Sequence, residues 1–228
     1  EDSTKQIIGA AFGSSGQRCM ALSVAVVVGE IKHDFVSELV KKTKKLKIGL
    51  DINDSNSFGP LITKDHLEKV KYYIDSSEEE GANILTDGRD ILKSKNSVKG
   101  NYLGATIIDN VKTTMTAYKN EIFGPVLQII YAKDFAEGIE IIKKNNFGNG
   151  CAIFTADGEA ARTFANEVDI GMIGVNIPLP VPSAFHSFGG WKDSFFGDLN
   201  IYGPDGLRFY TQRKTVTQRW PSSKNQNN

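Results

Sequence analysis

From Asp134 to Asn176 the chain reads DFAEGIEIIKKNNFGNGCAIFTADGEAARTFANEVDIGMIGVN, and its periods alternate. Phe135, Ile139, Ile141 and Ile142 recur at helical spacing, so a helix is expected from Asp134 to Asn145, ended by Gly148 and Gly150. Cys151-Ala-Ile-Phe-Thr155 then reads as a strand, Asp157 to Val168 as a second helix and Gly171 to Asn176 as a second strand. Strands separated by helices imply β-α-β units, hence an α/β fold with an open, largely parallel twisted sheet and flanking helices.

Working outward, the same alternation holds upstream. Ser23 to Val28 is an apolar, β-branched run, expected as a strand buried on both faces. Asp34 to Lys47 has helical spacing, with Phe35, Val36, Leu39, Val40 and Leu46 on one side. Its opposite face (Lys41, Lys42, Lys44, Lys45, Lys47) is read as solvated rather than as a phosphate patch, because no aromatics interleave it. Gly49 to Pro60 reads as a polar loop, and Thr63 is placed to cap a helix running to Glu80. A short strand at Asn83 to Leu85, an exposed loop at Asp87 to Asn101, and strands at Leu103 to Val111 and Val126 to Tyr131 follow. Pro178-Leu-Pro-Val-Pro182 cannot continue a central strand and is read as an ordered loop.

Lys+Arg and Asp+Glu both number 27 over 228 residues, so no global field favours nucleic acid or an anionic membrane. No apolar run approaches the ~20 residues of a spanning helix. Two distant cysteines make no disulfide framework, and a reducing compartment is expected. Three scattered histidines give no metal-ligand cluster, and neither a phosphate loop nor a Gly-x-Gly-x-x-Gly fingerprint occurs. The chain opens directly on a helical pattern without methionine, which reads as a piece of something longer.

Chemistry concentrates in three places. Cys19 ends the small-residue, glycine-broken run Ala10-Ala-Phe-Gly-Ser-Ser-Gly-Gln-Arg-Cys-Met-Ala21, on an expected turn between a helix and a strand. A thiol attacks as thiolate, and a cation or helix N-terminus favours that form; the alternative is a small buried hydrophobe. Glu121-Ile-Phe-Gly-Pro-Val126 offers a carboxylate that can accept from two hydroxyls and an aromatic wall, or else a plain turn with Phe123 in the core. Phe185-His-Ser-Phe-Gly-Gly-Trp-Lys192 is the third; His186 there is read as a loop histidine, and Cys151 as packing.

Gly16-Gln-Arg-Cys-Met-Ala21, Glu121-Ile-Phe-Gly-Pro125 and Phe188-Gly-Gly-Trp-Lys192 together resemble the motifs of the aldehyde dehydrogenase superfamily. Arg-Cys-Met, and Ser194-Phe-Phe-Gly197 in place of the common Ser-Gly-x-Gly, are similar to its CoA-acylating methylmalonate-semialdehyde branch. The resemblance implies Cys19 as nucleophile, Glu121 on the nicotinamide ribose of NAD, Phe123 near the nicotinamide, Phe188 as substrate wall and Arg18 on the substrate carboxylate. It implies coenzyme A as co-substrate and a small semialdehyde as substrate, with neither nucleic acid nor membrane as partner. Residues 1–206 would be the catalytic domain, 207–220 a strand joining copies of the chain into a dimer or tetramer, and 221–228 a disordered tail. The NAD-binding domain would precede this chain, which is expected to be inactive alone. The compartment implied is the cytoplasm of a bacterium or the mitochondrial matrix of a eukaryote. Two other functions remain open at this point: an ordinary aldehyde dehydrogenase releasing free acid, and a non-catalytic association domain.

Overall fold

A computed structural model describes residues 2–49, 57–93 and 100–221. The central sheet holds β1 (Val24–Val28), β2 (Asn83–Thr86), β3 (Thr106–Asp109) and β4 (Val126–Ala132) in the spatial order β1-β4-β3-β2. β4 pairs in parallel with β1 and β3, and β2 runs antiparallel at the far edge. Two further ladders complete the strands. β5 (Phe147–Gly148) pairs antiparallel with β8 (Trp191–Lys192), and β6 (Gly150–Ile153) pairs in parallel with β7 (Met172–Val175). The helices are α1 (Asp2–Phe12), α2 (Lys32–Thr43), α3 (Lys64–Glu79), α4 (Thr116–Lys119), α5 (Phe135–Lys144), α6 (Gly158–Glu167) and α7 (Gly203–Phe209). The α/β class holds, with β6-α6-β7 as the parallel unit read from residues 134–176.

β4 shows why the sheet is a middle layer. Successive side chains of a strand face opposite ways. Val126 and Ile130 join Leu67, Val70 and Ile74 of α3, whereas Leu127 and Ile129 join Ile7, Ala11 and Phe12 of α1 and Leu39 of α2. Each of these large side chains contributes about 1.5–3 kcal/mol by leaving water. A third cluster packs Ile139 of α5 and Phe164 of α6 over Cys151 and Ile173 of the β6–β7 pair. The expected cap forms, Thr63 Oγ1 accepting from the His66 amide, and the structure adds two more: Asp134 Oδ1 accepts from Glu137, and Asp157 Oδ1 from Glu159 and Ala160.

The structure corrects three expectations. β1 is an edge strand, and only Val27 in it is fully buried; the doubly buried strand is β4. Helix α2 stops at Thr43, four residues early, and Lys41 and Lys42 of its basic face pair with Glu38 at 3.7 and 3.4 Å. Gly203-Pro-Asp-Gly206 starts α7, which runs into the segment expected as a strand from 207, because proline suits a helical first turn where its missing N–H costs nothing. The C-terminal strand therefore cannot begin at Leu207; residues 211–221 are exposed and form no ladder among the described residues. The tail from 222, and parts of the loops expected at 49–60 and 87–101, lie outside the described residues.

Candidate active site

Helix α1 ends at Phe12, and the chain then turns through three consecutive left-handed residues: Ser14, Ser15 and Gly16, with φ of 54°, 57° and 66°. A non-glycine residue held there costs on the order of 1 kcal/mol or more and persists only if its surroundings fix it. They do. Ser15 Oγ donates to the Gly59 carbonyl at 2.6 Å, and the Ile62 amide donates to Gln17 Oε1 at 3.2 Å. Gly16 lies so close to the next segment that a Cβ on it would sit 2.1 Å from the Gly124 carbonyl oxygen.

The clamped turn delivers Cys19 to the surface, beside a buried Met20. The peptides on both sides of the Cys19 Cα are pinned. The Arg18 carbonyl accepts from the Ala21 amide at 3.0 Å, and the Cys19 carbonyl accepts from Asn149 Nδ2 at 2.9 Å. In a trans peptide N–H and C=O point oppositely, so the Cys19 N–H is turned away from the inside of the Arg18–Ala21 turn. That leaves it available as an oxyanion donor.

Arg18 is committed elsewhere. Its Nη2 donates to the Gly9 and Ala10 carbonyls at 2.8 and 3.3 Å, two of the four carbonyls that the end of α1 leaves without helical partners. A cation at that end is also favoured by the helix dipole. Arg18 Nε is buried and has no hydrogen-bond partner among the described residues.

The Glu121–Val126 turn meets this unit through Gly124. Ile122 is buried and anchors the segment, while Glu121 and Phe123 on either side of it are exposed. Phe123 is not a core residue of this chain, being 36 % exposed. Phe123 itself has φ of 58°, and His66 steadies it: His66 Nε2 donates to the Phe123 carbonyl at 2.7 Å, with the two rings edge to face. A carbonyl only accepts, so Nε2 carries the proton.

The Phe188-Gly-Gly-Trp-Lys192 segment reaches the Cys19 turn through Asn149. A Cβ on Gly190 would lie 3.1 Å from the Asn149 Cα, and the amide of neighbouring Gly148 donates to Ser194 Oγ at 3.0 Å. Lys192 Nζ donates to the Lys143 and Asn145 carbonyls, closing the end of α5. Phe188 is half-buried, its ring centroid 5.5 Å from that of Tyr202.

Cys19, Glu121, Phe123 and Phe188 thus lie on three loops that touch through Gly16, Gly124, Asn149 and Gly190, while the Arg18 guanidinium is drawn to α1. His186 is exposed on its loop. Burial pushes the Cys151 thiol up to about 12 against the opposing pull of the Lys192 ammonium, which suits a packing residue. Among the described residues no group of three His, Cys, Asp or Glu could hold a metal ion. The sequence reading missed Asn149 and His66. Asn149-Gly150 reads as a plain turn, and nothing local announces a bond to a carbonyl 130 positions away.

Known proteins share this fold. The chain is 50 % identical over 222 residues to a malonate-semialdehyde dehydrogenase of Pseudomonas aeruginosa, covering 97 % of this chain and 44 % of the relative. It superimposes on a crystal structure of methylmalonate-semialdehyde dehydrogenase from Oceanimonas doudoroffii with a TM-score of 0.92 at 54 % identity, over 97 % of this chain and 46 % of that one. A Sinorhizobium meliloti protein assigned the same activity and solved with NAD gives 0.93 at 46 % identity, over 98 % and 45 %. The chain spans a little under half the length of these relatives. The profile of the aldehyde dehydrogenase family matches residues 1–216, and the chain belongs to that family.

Proposed function

We propose that this chain is the catalytic part of an NAD-dependent, CoA-acylating dehydrogenase that converts methylmalonate semialdehyde or malonate semialdehyde to propionyl-CoA or acetyl-CoA. The observation that carries the proposal is the pinned Gln17-Arg18-Cys19-Met20 turn, with an exposed thiol on Cys19 and a buried, unpartnered Nε–H on its sequence neighbour Arg18. Relatives bearing both semialdehyde names support the substrate class.

The residues present fit NAD. The exposed Glu121 carboxylate can accept from vicinal ribose hydroxyls, and the exposed Phe123 ring gives a flat apolar wall, both held by buried Ile122. NAD, when bound, supplies the hydride acceptor. The chain's own residues do the rest. The Cys19 sulfur adds to the aldehyde carbon, and the Cys19 N–H offers a donor to the oxygen that becomes negative. Loss of hydride from that carbon leaves a thioester on Cys19, from which the CoA thiol takes the acyl group. The β-carboxylate is lost as carbon dioxide (as bicarbonate once water adds), and the electron pair of the broken C–C bond takes up a proton at the α-carbon. Arg18 is assigned to that carboxylate: Nη2 stays on α1, and Nε–H is the donor a carboxylate oxygen would satisfy.

The test is NADH formation from malonate semialdehyde by the full-length protein, with and without CoA, with product analysis. CoA-dependent formation of acetyl-CoA is expected. Arg18→Ala should raise KM for the semialdehyde about 10- to 100-fold relative to propanal, the scale of one charge-assisted hydrogen bond. Free acid formed regardless of CoA would overturn the acylating reading, and equal loss on both aldehydes would remove Arg18 from the carboxylate.

Association through residues 211–220 belongs to the same proposal. The segment is exposed along its length, and its alternation Thr215-Val-Thr-Gln218 suits a strand added to another copy's sheet. Ending the protein after Tyr210 is expected to lower its mass in light scattering to that of a smaller assembly; an unchanged mass would sink the idea.

A further inference from the structure

We infer that Asn149 is a positioning residue for the nucleophile, a strut that sets the Cys19 peptide relative to the Phe188–Lys192 wall; the inference rests on the reading of Cys19 as the attacking thiol. Asn149 Nδ2 lies 2.9 Å from the Cys19 carbonyl and 3.2 Å from Met20 Sδ. Both partners are acceptors, which fixes the amide with its nitrogen toward the turn. The main chain of Asn149 is held independently. Its carbonyl accepts from the Met172 amide at 3.2 Å, and its Cα backs onto Gly190. Flanking it, Gly148 pairs with Trp191 in β5–β8, and Gly150 with Met172 in β6–β7. The residue stands where two ladders meet, and only its side chain crosses to the nucleophile turn.

What this bond controls is orientation. The direction of a Cα–Cβ bond follows from the two peptide planes beside it. At Cys19 one plane is fixed within the turn by Ala21 and the other only from outside, by Asn149. Without that donor the Cys19–Met20 peptide is free to rotate, and the thiol loses its register with the substrate wall. The Cys19 carbonyl sits at an exposed residue, so water can replace the lost partner and the fold is expected to stand. Misplacing a reacting atom by about 1 Å can cost on the order of 100-fold in rate.

The experiment compares full-length wild type with Asn149→Ala and Asn149→Asp, the second keeping the shape but not the donor. Single-turnover NADH formation is measured with propanal and NAD, which needs neither CoA nor a substrate carboxylate. Both variants should lose about 10- to 100-fold in the saturating single-turnover rate with half-saturation by propanal moved less than about 3-fold, and keep the wild-type unfolding midpoint. A single-turnover rate within about 2-fold of wild type, or a fall matched by a lowered midpoint, overturns the strut. If wild type itself makes no NADH from either aldehyde, the Cys19 mechanism has failed, and with it this inference. A propanal burst without CoA-dependent acetyl-CoA would sink only the acylating reading.

Discussion

In the full-length protein, Cys19→Ala is expected to abolish NADH formation from any aldehyde, a fall on the order of 10,000-fold or more in turnover. Among the described residues no second thiol is placed to take over. The other thiol of the chain, Cys151, is half-buried in β6 and pushed up to about 12. At pH 8 that leaves about one such thiol in 10,000 ionised, and the thiolate is the reacting form. Iodoacetamide at pH 8 should therefore alkylate Cys19 and leave Cys151 intact, as read by mass spectrometry of a digest. Because the Cys19 side chain is exposed, its removal should move stability by no more than about 0.5 kcal/mol. Turnover within 10-fold of wild type, or Cys151 labelled as fast as Cys19, would contradict a thiol mechanism based on Cys19.

Gly16→Ala should be the most damaging single methyl in the site. Two costs add. The left-handed φ of 66° penalises any Cβ by about 1–2 kcal/mol, and the new carbon would lie 2.1 Å from the Gly124 carbonyl and 3.1 Å from that of Ala11. Both neighbours are backbone, so the turn itself must move. A loss of about 2–4 kcal/mol is expected, a large part of the 5–15 kcal/mol typical of a folded domain. The displaced turn carries Cys19 with it, adding a rate loss on the order of 100-fold. Gly9→Ala is the control. It sits in α1 with no atom within 4 Å of its would-be Cβ, so it should be neutral or stabilising by up to about 1 kcal/mol. Denaturant unfolding of the two variants separates the cases: equal midpoints would show that Gly16 is ordinary helix-end glycine.

Local sequence pattern set which segments are helices and strands. The stripe Leu67, Val70, Ile74 made α3 legible because a side chain's face follows from the 3.6-residue period alone, and the largely apolar run after the Gly124-Pro125 turn marked β4. Cap residues marked α3, α5 and α6 to within a residue, since an N-cap bond spans only two or three positions. The Cys19, Glu121–Phe123 and Phe188 motifs were readable for the same reason, each being a contiguous word.

Only the tertiary structure decided the rest. An apolar run such as residues 24–28 does not say whether it lies in the middle or at the edge of a sheet; that depends on strand order, which put β4 between β1 and β3. Gly-Pro-Asp-Gly fits a turn or a helix start, and in the structure Pro204 stands in the first turn of α7. Arg18 was read from its motif as a ligand for the substrate carboxylate, and nothing in that motif told that its Nη2 would sit on the Gly9 and Ala10 carbonyls at the end of α1. Asn149 carries no signal in its own neighbourhood and becomes meaningful only where β5 and β6 meet the nucleophile turn. Contacts between residues far apart in sequence are fixed by how whole layers pack, and no local period records them.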